Sequence, residues 1–347
     1  MKRSVALVTG AGGEMGRLLV PALAERGVDV VALDLAALPP ELEARCQASA
    51  RMNILDTAGV QQLMRSHEPA YVFHLAAMLS AHAERDPELA HRVNVEATLA
   101  LFALCRQSPH PGRFLFPSSI AVYGLPDAAT KAEQGPLKEW MWNTPTGIYG
   151  CNKLYCELVG TYLSRHMREE GGDGFDFRSI RFPGLISAET LPAGGTTDFA
   201  PEMIHAAARG EPYSCFVARE TRLPFMTMPD AIAALLALAD VEPARLTRSV
   251  YNIKGFSCSA GEILEQVRRR FPEARVTFDP LPSRQRIVDS WPGDVDDSRA
   301  RRDFGLSPRH GLSEAFDDYL IPALRGRYGE SDSRPPAGSP LRFPQRS

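Results

Sequence analysis

The sequence predicts an α/β fold: a doubly wound parallel sheet followed by a smaller C-terminal α/β region that caps it. Three observations predict this. Val5–Thr9 is an unbroken apolar run with strand-forming residues, closed by a glycine turn. Similar runs at Tyr71–Leu75, Phe114–Pro117 and Phe177–Arg181 alternate with helical spacing at Thr57–Ser66, Glu88–Arg106 and Gly147–Arg168. Continuous apolar strands alternating with helices imply parallel pairing, with both sheet faces covered. After Phe182 the character changes, and Pro183–Pro201 is rich in Gly, Thr and Pro.

The elements follow in order. Gly10, Gly13 and Gly16 form a G-x-x-G-x-x-G turn that also holds Glu14 and Met15. A helix is expected at Arg17–Arg26, with Gly27 placed as its C-cap. Val28–Leu33 is a second apolar strand, ending at Asp34. Strand, glycine turn, helix, strand and acid make up a Rossmann-type dinucleotide-binding unit. The glycines let the backbone approach a pyrophosphate, and the helix N-terminus offers free N–H groups to it. A carboxylate at Asp34 accepts hydrogen bonds from adenosine ribose hydroxyls and repels a 2′-phosphate. No Arg or Lys stands immediately beside it in the chain, so NAD is the expected cofactor.

Beyond Phe182, short helices are expected near Glu202–Arg209, Asp230–Ala239 and Ala260–Arg270, and short strands at Val250–Ile253 and Val276–Phe278. This divides the chain into a Rossmann domain over 1–182 and a mainly substrate-binding cap over 183–330, with some cap segments returning to the sheet. Residues 331–347, rich in proline and serine, are expected to be a disordered tail. A surface loop is expected at Glu169–Gly174.

The bulk numbers exclude several classes. The 347 residues are 44% hydrophobic and 23% charged, as in globular proteins. A net charge of -3 gives no electrostatic case for nucleic acid or an anionic membrane. Val5–Val8 is too short for a signal-peptide core, and no segment has the roughly 20 apolar residues needed to span a bilayer. The six cysteines have no C-x-x-C pairing and the eight histidines no ligand spacing. The expectation is a cytoplasmic protein with reduced thiols and no metal.

Tyr149 and Lys153, four residues apart, share one face of a helix. An ammonium beside a phenol favours the phenolate, which is a general base for an alcohol proton. Ser119 lies 30 residues upstream in Pro-Ser-Ser-Ile-Ala-Val-Tyr-Gly. Together with the glycine turn, this set resembles the extended, epimerase-like branch of the short-chain dehydrogenase/reductase superfamily. The resemblance implies that Tyr149 takes the substrate proton and that Lys153 lowers the tyrosine pKa and bonds the nicotinamide ribose. It implies that Ser119, rather than Ser118, holds the substrate oxygen. Asn94 matches an asparagine that shapes the active-site helix and helps relay protons. Asn53 and Ile54 match the adenine-edge contact, although the family usually has Asp at position 53. His74, Leu75, Ala76 and Ala77 match the segment along the cofactor phosphates and ribose, with His74 itself structural. Pro183 falls in the same cofactor set.

Three further segments narrow the resemblance. Arg181–Ser187 leads to Gly194-Gly195-Thr196-Thr197-Asp198-Phe199-Ala200. Then come Leu223–Asp230 and, near the end, Asp289-Ser290-Trp291-Pro292. Over residues 4–325 these resemble the zinc-free, NAD-dependent L-threonine 3-dehydrogenases. That implies a small substrate, contacted by Ser80, Ser118, Ser119, Tyr149, Gly184, Thr196 and Thr197, and oxidation of a 3-hydroxyl. Nucleotide-sugar 4-epimerases usually carry Asn where Pro183-Gly184 stands here. That reading and an erythronate-like hydroxy-acid dehydrogenase remain the alternatives. The stretch Lys138–Asn143, with Trp140 and Trp142, departs from the threonine enzymes and is expected to reshape the pocket or to pack under the cap. The resemblance also implies a homodimer, pairing the helix after Asn94 and the Tyr149 helix into a four-helix bundle.

Overall fold

Twelve strands form three sheets in the computed structural model, which describes residues 3–108, 112–169, 175–191 and 195–329. The strands are β1 (Val5–Thr9), β2 (Asp29–Asp34), β3 (Ala48–Arg51), β4 (Tyr71–His74), β5 (Arg113–Ser119), β6 (Asp176–Phe182), β7 (Gly184–Ile186), β8 (Tyr213–Cys215), β9 (Arg222–Thr227), β10 (Val250–Asn252), β11 (Phe256–Ser259) and β12 (Val276–Phe278). The expected tail at 331–347, and all but the first residue of the expected loop at 169–174, lie outside the described residues.

The central sheet has the order β10-β6-β5-β4-β1-β2-β3, with every pair parallel. Strand order reverses at β1, so a crevice opens beyond the C-terminal ends of β1 and β4, where open α/β sheets bind ligands. Both faces are covered. On one, α1 (Glu14–Glu25) buries Leu19 and Leu23 in a core shared with Val8 and Val30. On the other, α2 (Thr57–His67), α3 (Ala97–Gln107) and α4 (Ile148–Glu169) flank a core built on Leu7, Phe102, Phe114 and Phe177. Phe102 meets Phe114 and Phe177 edge-on at 4.9 and 5.5 Å between centroids, a favoured aromatic geometry.

Local chemistry accounts for several boundaries. Gly27 adopts φ +75° after α1 and donates its N–H to Ala24 O, as expected of a C-cap. The helix expected over Glu88–Arg106 runs from Pro87 to Gln107, with a π-turn at Arg92–Glu96 around Asn94. Such bulges concentrate at functional sites. One strand of the central sheet was not expected from the sequence, and neither was the place of another. β3, Ala-Ser-Ala-Arg, is an edge strand with alternating exposure and weak strand propensity. β10 was expected as a strand, but only tertiary pairing places it beside β6.

The rest of the chain builds a second core over the sheet end. β11, β9 and β7 make a small mixed sheet, and β12 pairs with β8. α5 (Phe199–Ala208) packs Phe199 and Met203 into this core beside Phe225, Ile263 and Trp291. α6 (Met228–Asp240) goes back instead to the underside of the central sheet, where Leu235 and Leu238 join the α1 core.

Candidate active site

The glycine turn is shaped by close contact. Gly10 has φ +68°, and a Cβ there would lie 2.7 Å from Ala76 N, so only glycine fits. Its N–H donates to Leu33 O at 2.8 Å, which ties the turn to β2. Asp34 accepts Gly12 N–H at 2.8 Å and Ala36 N–H at 2.9 Å. Its carboxylate therefore holds the loop in shape at the end of β2. The sheet register sets Arg51 opposite Asp34, and Arg17 Nε donates to Gly12 O, so two basic residues stand near a position that has none beside it in the linear chain.

The crevice is a cleft of about 290 Å³. The turn side contributes Gly10, Gly13, Glu14, Met15 and Gly16, and the segment after β4 contributes Leu75 and Ala77. Ser118, Ser119, Tyr149 and Lys153 form the middle, and the cap adds Pro183, Gly184, Thr196, Thr197 and Asp198. Asp34, Asn53, Ile54, His74, Ala76 and Asn94 do not line it. Asn53 Oδ1 accepts Leu55 N–H, and Ile54 is buried against the α2 face. Ala76 N–H donates to Thr9 Oγ1 at 3.3 Å and backs Gly10.

His74 is fully enclosed, its ring nitrogens 2.8 Å from Thr9 Oγ1 and 2.9 Å from Thr98 Oγ1. Burial, aided by the Lys153 charge, pushes its pKa down to about 3, so it is a neutral structural residue with no face toward a cofactor. Asn94 is a clamp: its Oδ1 accepts Met78 N–H at 2.8 Å and its Nδ2 donates to Met78 O at 3.0 Å. It therefore fixes the loop that carries Ser80.

Tyr149 and Lys153 do face one way from α4. Gly150 lets the helix approach, since a Cβ there would come within 2.0 Å of Ala121 O in the turn after Ser119. Ser119 Oγ accepts Ala121 N–H at 3.1 Å, which leaves its own proton to donate. Lys153 Nζ donates to Pro117 O at 2.7 Å and lies 4.4 Å from the Phe116 ring centre and 5.7 Å from that of Tyr149. Burial pushes the Lys153 pKa down to about 8, although Cys156 and Glu157 oppose it. Burial also raises the Tyr149 phenol above its ordinary value. In this arrangement burial dominates the Tyr149 pKa, and the Lys153 ammonium is bonded to the Pro117 carbonyl.

Ser80 and Thr196 touch across the cleft, Oγ to Oγ1 at 3.0 Å. Thr190 Oγ1 donates to Glu14 Oε1 at 2.8 Å, which ties the cap to the glycine turn. Gly195 N–H donates to Asp198 Oδ2 at 2.5 Å. Gly194 lies outside the described residues. Trp291 and Met228 also line the cleft, and no individual role was assigned to them from sequence. The signal for Trp291 was its Asp-Ser-Trp-Pro segment. The two tryptophans suspected of shaping the pocket lie elsewhere: Trp140 and Trp142 are 52% and 36% exposed and line no part of the cleft.

The residues fit a dinucleotide. The turn is side-chain-free where a pyrophosphate must lie, and it opens a helix. Among the described residues Ser118 Oγ is the buried side-chain polar atom without a partner, and Ser118 lines the cleft. The model of the NAD dependent epimerase/dehydratase family matches residues 6–253. The chain belongs to that family. It is thus an extended short-chain dehydrogenase/reductase, an oxidoreductase that uses NAD and acts on a CH–OH group. Bovine mitochondrial L-threonine 3-dehydrogenase is 33% identical over 315 residues, covering 90% of this chain and 81% of that one. The structure of L-threonine 3-dehydrogenase from Trypanosoma brucei superposes with a TM-score of 0.82 at 34% identity, covering 92% and 98% of the two chains. A monomeric L-threonine 3-dehydrogenase from a metagenome gives 0.81 at 35% identity, covering 94% and 100%.

Proposed function

We propose that this family member oxidises the 3-hydroxyl of L-threonine, or of a close β-hydroxy amino acid, to the 3-keto product. One observation carries the reading: Ser119, Tyr149 and Lys153 share a small cleft with Thr196 and Thr197. The first three suit an alcohol that is losing a proton. The threonine hydroxyls and nearby N–H groups suit the carboxylate of a small substrate, and Trp291 and Met228 add apolar surface to the same cleft.

In this mechanism Ser119 donates a hydrogen bond to the substrate oxygen, keeping its own proton, and holds that oxygen toward Tyr149. Tyr149, as phenolate, takes the hydroxyl proton. Burial opposes that phenolate, so the ammonium of Lys153 must turn from Pro117 O toward the ribose and phenol to stabilise it. NAD, when bound, supplies the hydride acceptor. Gly10, Gly13, Glu14, Met15 and Gly16 would hold its diphosphate end, and Asp34, outside the cleft at the end of β2, would reach its ribose with the lone pairs that Gly12 and Ala36 leave free. Asn94 acts indirectly, by fixing the Met78–Ser80 loop.

We also infer a cytoplasmic protein, in keeping with six free cysteines and with no helix, among the described residues, long and apolar enough to cross a membrane. The domain division at 182–183 is retained as a proposal, with α6 and β10 as the returning segments. A homodimer is proposed on the outer face of α4, where Tyr155, Leu158 and Tyr162 are 49%, 62% and 63% exposed in one stripe.

The test is NADH formation with L-threonine, L-allo-threonine, L-serine, 3-hydroxybutyrate and D-erythronate. Turnover on L-threonine well above the rest supports the reading. Turnover confined to the hydroxy acids, or tight UDP-sugar binding with tightly retained NAD, overturns it in favour of an erythronate-like enzyme or a 4-epimerase.

A further inference from the structure

The Lys138–Asn143 stretch is far from idle, although it does not touch the cleft. It runs along the open edge of the central sheet. Leu137 O accepts Asn252 Nδ2 at 2.9 Å, and Glu139 Oε1 accepts Asn252 N–H at 3.3 Å, so the strap covers a donor of the edge strand β10. Trp142 sits at φ +48°, a conformation costly for a bulky residue. Its carbonyl is held by Gly124 N–H at 2.9 Å and Thr144 N–H at 2.8 Å. Asn143 follows this enforced turn.

Two acceptors of the strap reach inward to one guanidinium. Arg181 Nη1 donates to Glu139 O at 2.8 Å and to Asn143 Oδ1 at 3.0 Å. The other edge of the same group pairs with Glu157, Nε to Oε1 at 2.9 Å and Nη2 to Oε2 at 2.6 Å. Tyr123 lies beneath, its ring centre 4.9 Å from the guanidinium carbon. Arg181 and Glu157 are 3% and 2% exposed. A buried pair of this kind is weak evidence for stability, but its planar fork sets geometry on two sides at once.

What the fork joins matters. Tyr149, Lys153 and Glu157 lie four residues apart on α4 and form one stripe. Arg181 is the penultimate residue of β6, directly before Phe182, Pro183 and Gly184 of the cleft wall. We propose that the strap, Arg181 and Glu157 are a positioning assembly that sets α4, and with it Tyr149 and Lys153, against the cleft. None of the three is a catalytic residue. The inference rests on Tyr149 and Lys153 being the reacting pair.

The test uses Arg181→Lys, which keeps the charge and loses the fork, and Asn143→Ala, which removes one strap acceptor from the surface side. Against the best substrate of the panel, kcat is expected to fall roughly tenfold or more and about threefold, respectively, with the KM for NAD unchanged. The double variant should be no worse than Arg181→Lys, because both act on one fork. Hydrogen exchange on the full chain, which needs no substrate, should quicken at residues 148–157 and stay unchanged in α1. Full kcat in both variants with only a lowered Tm overturns the proposal, as does exchange that is unchanged at 148–157 or faster everywhere. If Tyr149→Phe retains turnover, it is the reacting pair that fails. If Tyr149→Phe is dead and both positioning variants are fully active, only the assembly fails.

Discussion

The two walls of the cleft are built differently. On the sheet side, functional side chains are tied to main chain that belongs to strands and helix ends: Lys153 to Pro117 O, Ser119 to Ala121 N–H, Asp34 to Gly12 N–H. The cap meets this side through main-chain bonds at one end, Leu125 N–H to Ser290 O at 2.8 Å and Leu137 N–H to Asp294 O at 3.0 Å, but beside the cleft through side-chain contacts, Ser80 with Thr196, Glu14 with Thr190 and Thr146 with Ser290. Main-chain ties cannot move without unfolding an element, whereas a single hydroxyl contact can exchange for water or substrate at little net cost. On the proposed mechanism, the chemistry is preorganised in the sheet wall, and adjustment to substrate belongs to the part of the cap held by side chains alone.

The sharpest break falls on the rigid wall. Tyr149→Phe should lower kcat by about 10²–10⁴ while NADH binding, followed by fluorescence, is retained. Full turnover would remove the base from the mechanism.

Lys153→Met separates function from stability on the same wall. Turnover should drop by at least about 10². The Lys153 pKa is about 8 in the fold against an ordinary 10.5, so folding works against its charge. Stability is therefore penalised below pH 8, and the penalty fades as pH rises toward 10.5. The variant should melt a few degrees higher at pH 7, with the gain shrinking in alkaline buffer. A lower Tm at pH 7 would mean that the bond to Pro117 O outweighs desolvation.

The cap contacts should give smaller effects, and on KM. Ser80→Ala and Thr196→Val are each expected to raise substrate KM about three- to tenfold and to change kcat less. A large kcat loss with KM intact would place these hydroxyls with the chemistry and erase the contrast between the walls.

The smallest effect concerns Glu14, where the walls meet. Burial raises its pKa above the ordinary 4.5; the Thr190 bond lowers it and the Asp198 charge raises it. A neutral carboxyl suits an incoming diphosphate better than an anion does. NAD affinity should thus weaken, roughly threefold, as pH rises through the Glu14 pKa. Glu14→Gln should flatten that dependence in calorimetric titrations.

Much of the sheet wall is legible in the sequence. The glycine turn, Asp34, and the Tyr149–Lys153 spacing are local: a turn that needs φ > 0 and a helix period of 3.6 residues act over fewer than ten positions. β3 was not legible, because a short edge strand of Ala and Ser has little propensity and forms only against β2. Trp140 and Trp142 misled for a related reason. Aromatic content signals burial, yet these rings lie outside the cleft, Trp140 beside Arg299, Arg248 and Lys138. Trp291, which does line the cleft, was marked only by its Asp-Ser-Trp-Pro segment and not by any aromatic pattern.

By itself, the sequence determined the parallel α/β frame, the cofactor turn and the pairing of a phenol with an ammonium, because each depends on neighbours in the chain. Only the tertiary structure decided which residues face the cleft together. It returned β10 and α6 to the sheet, made Asn94 a clamp on the Met78 loop, and joined Arg181 to a strap about forty residues away. Those outcomes depend on burial and on partners far apart in sequence. The same desolvation that places Tyr149 and Lys153 side by side raises the phenol and weakens the ammonium, and no spacing rule contains that balance.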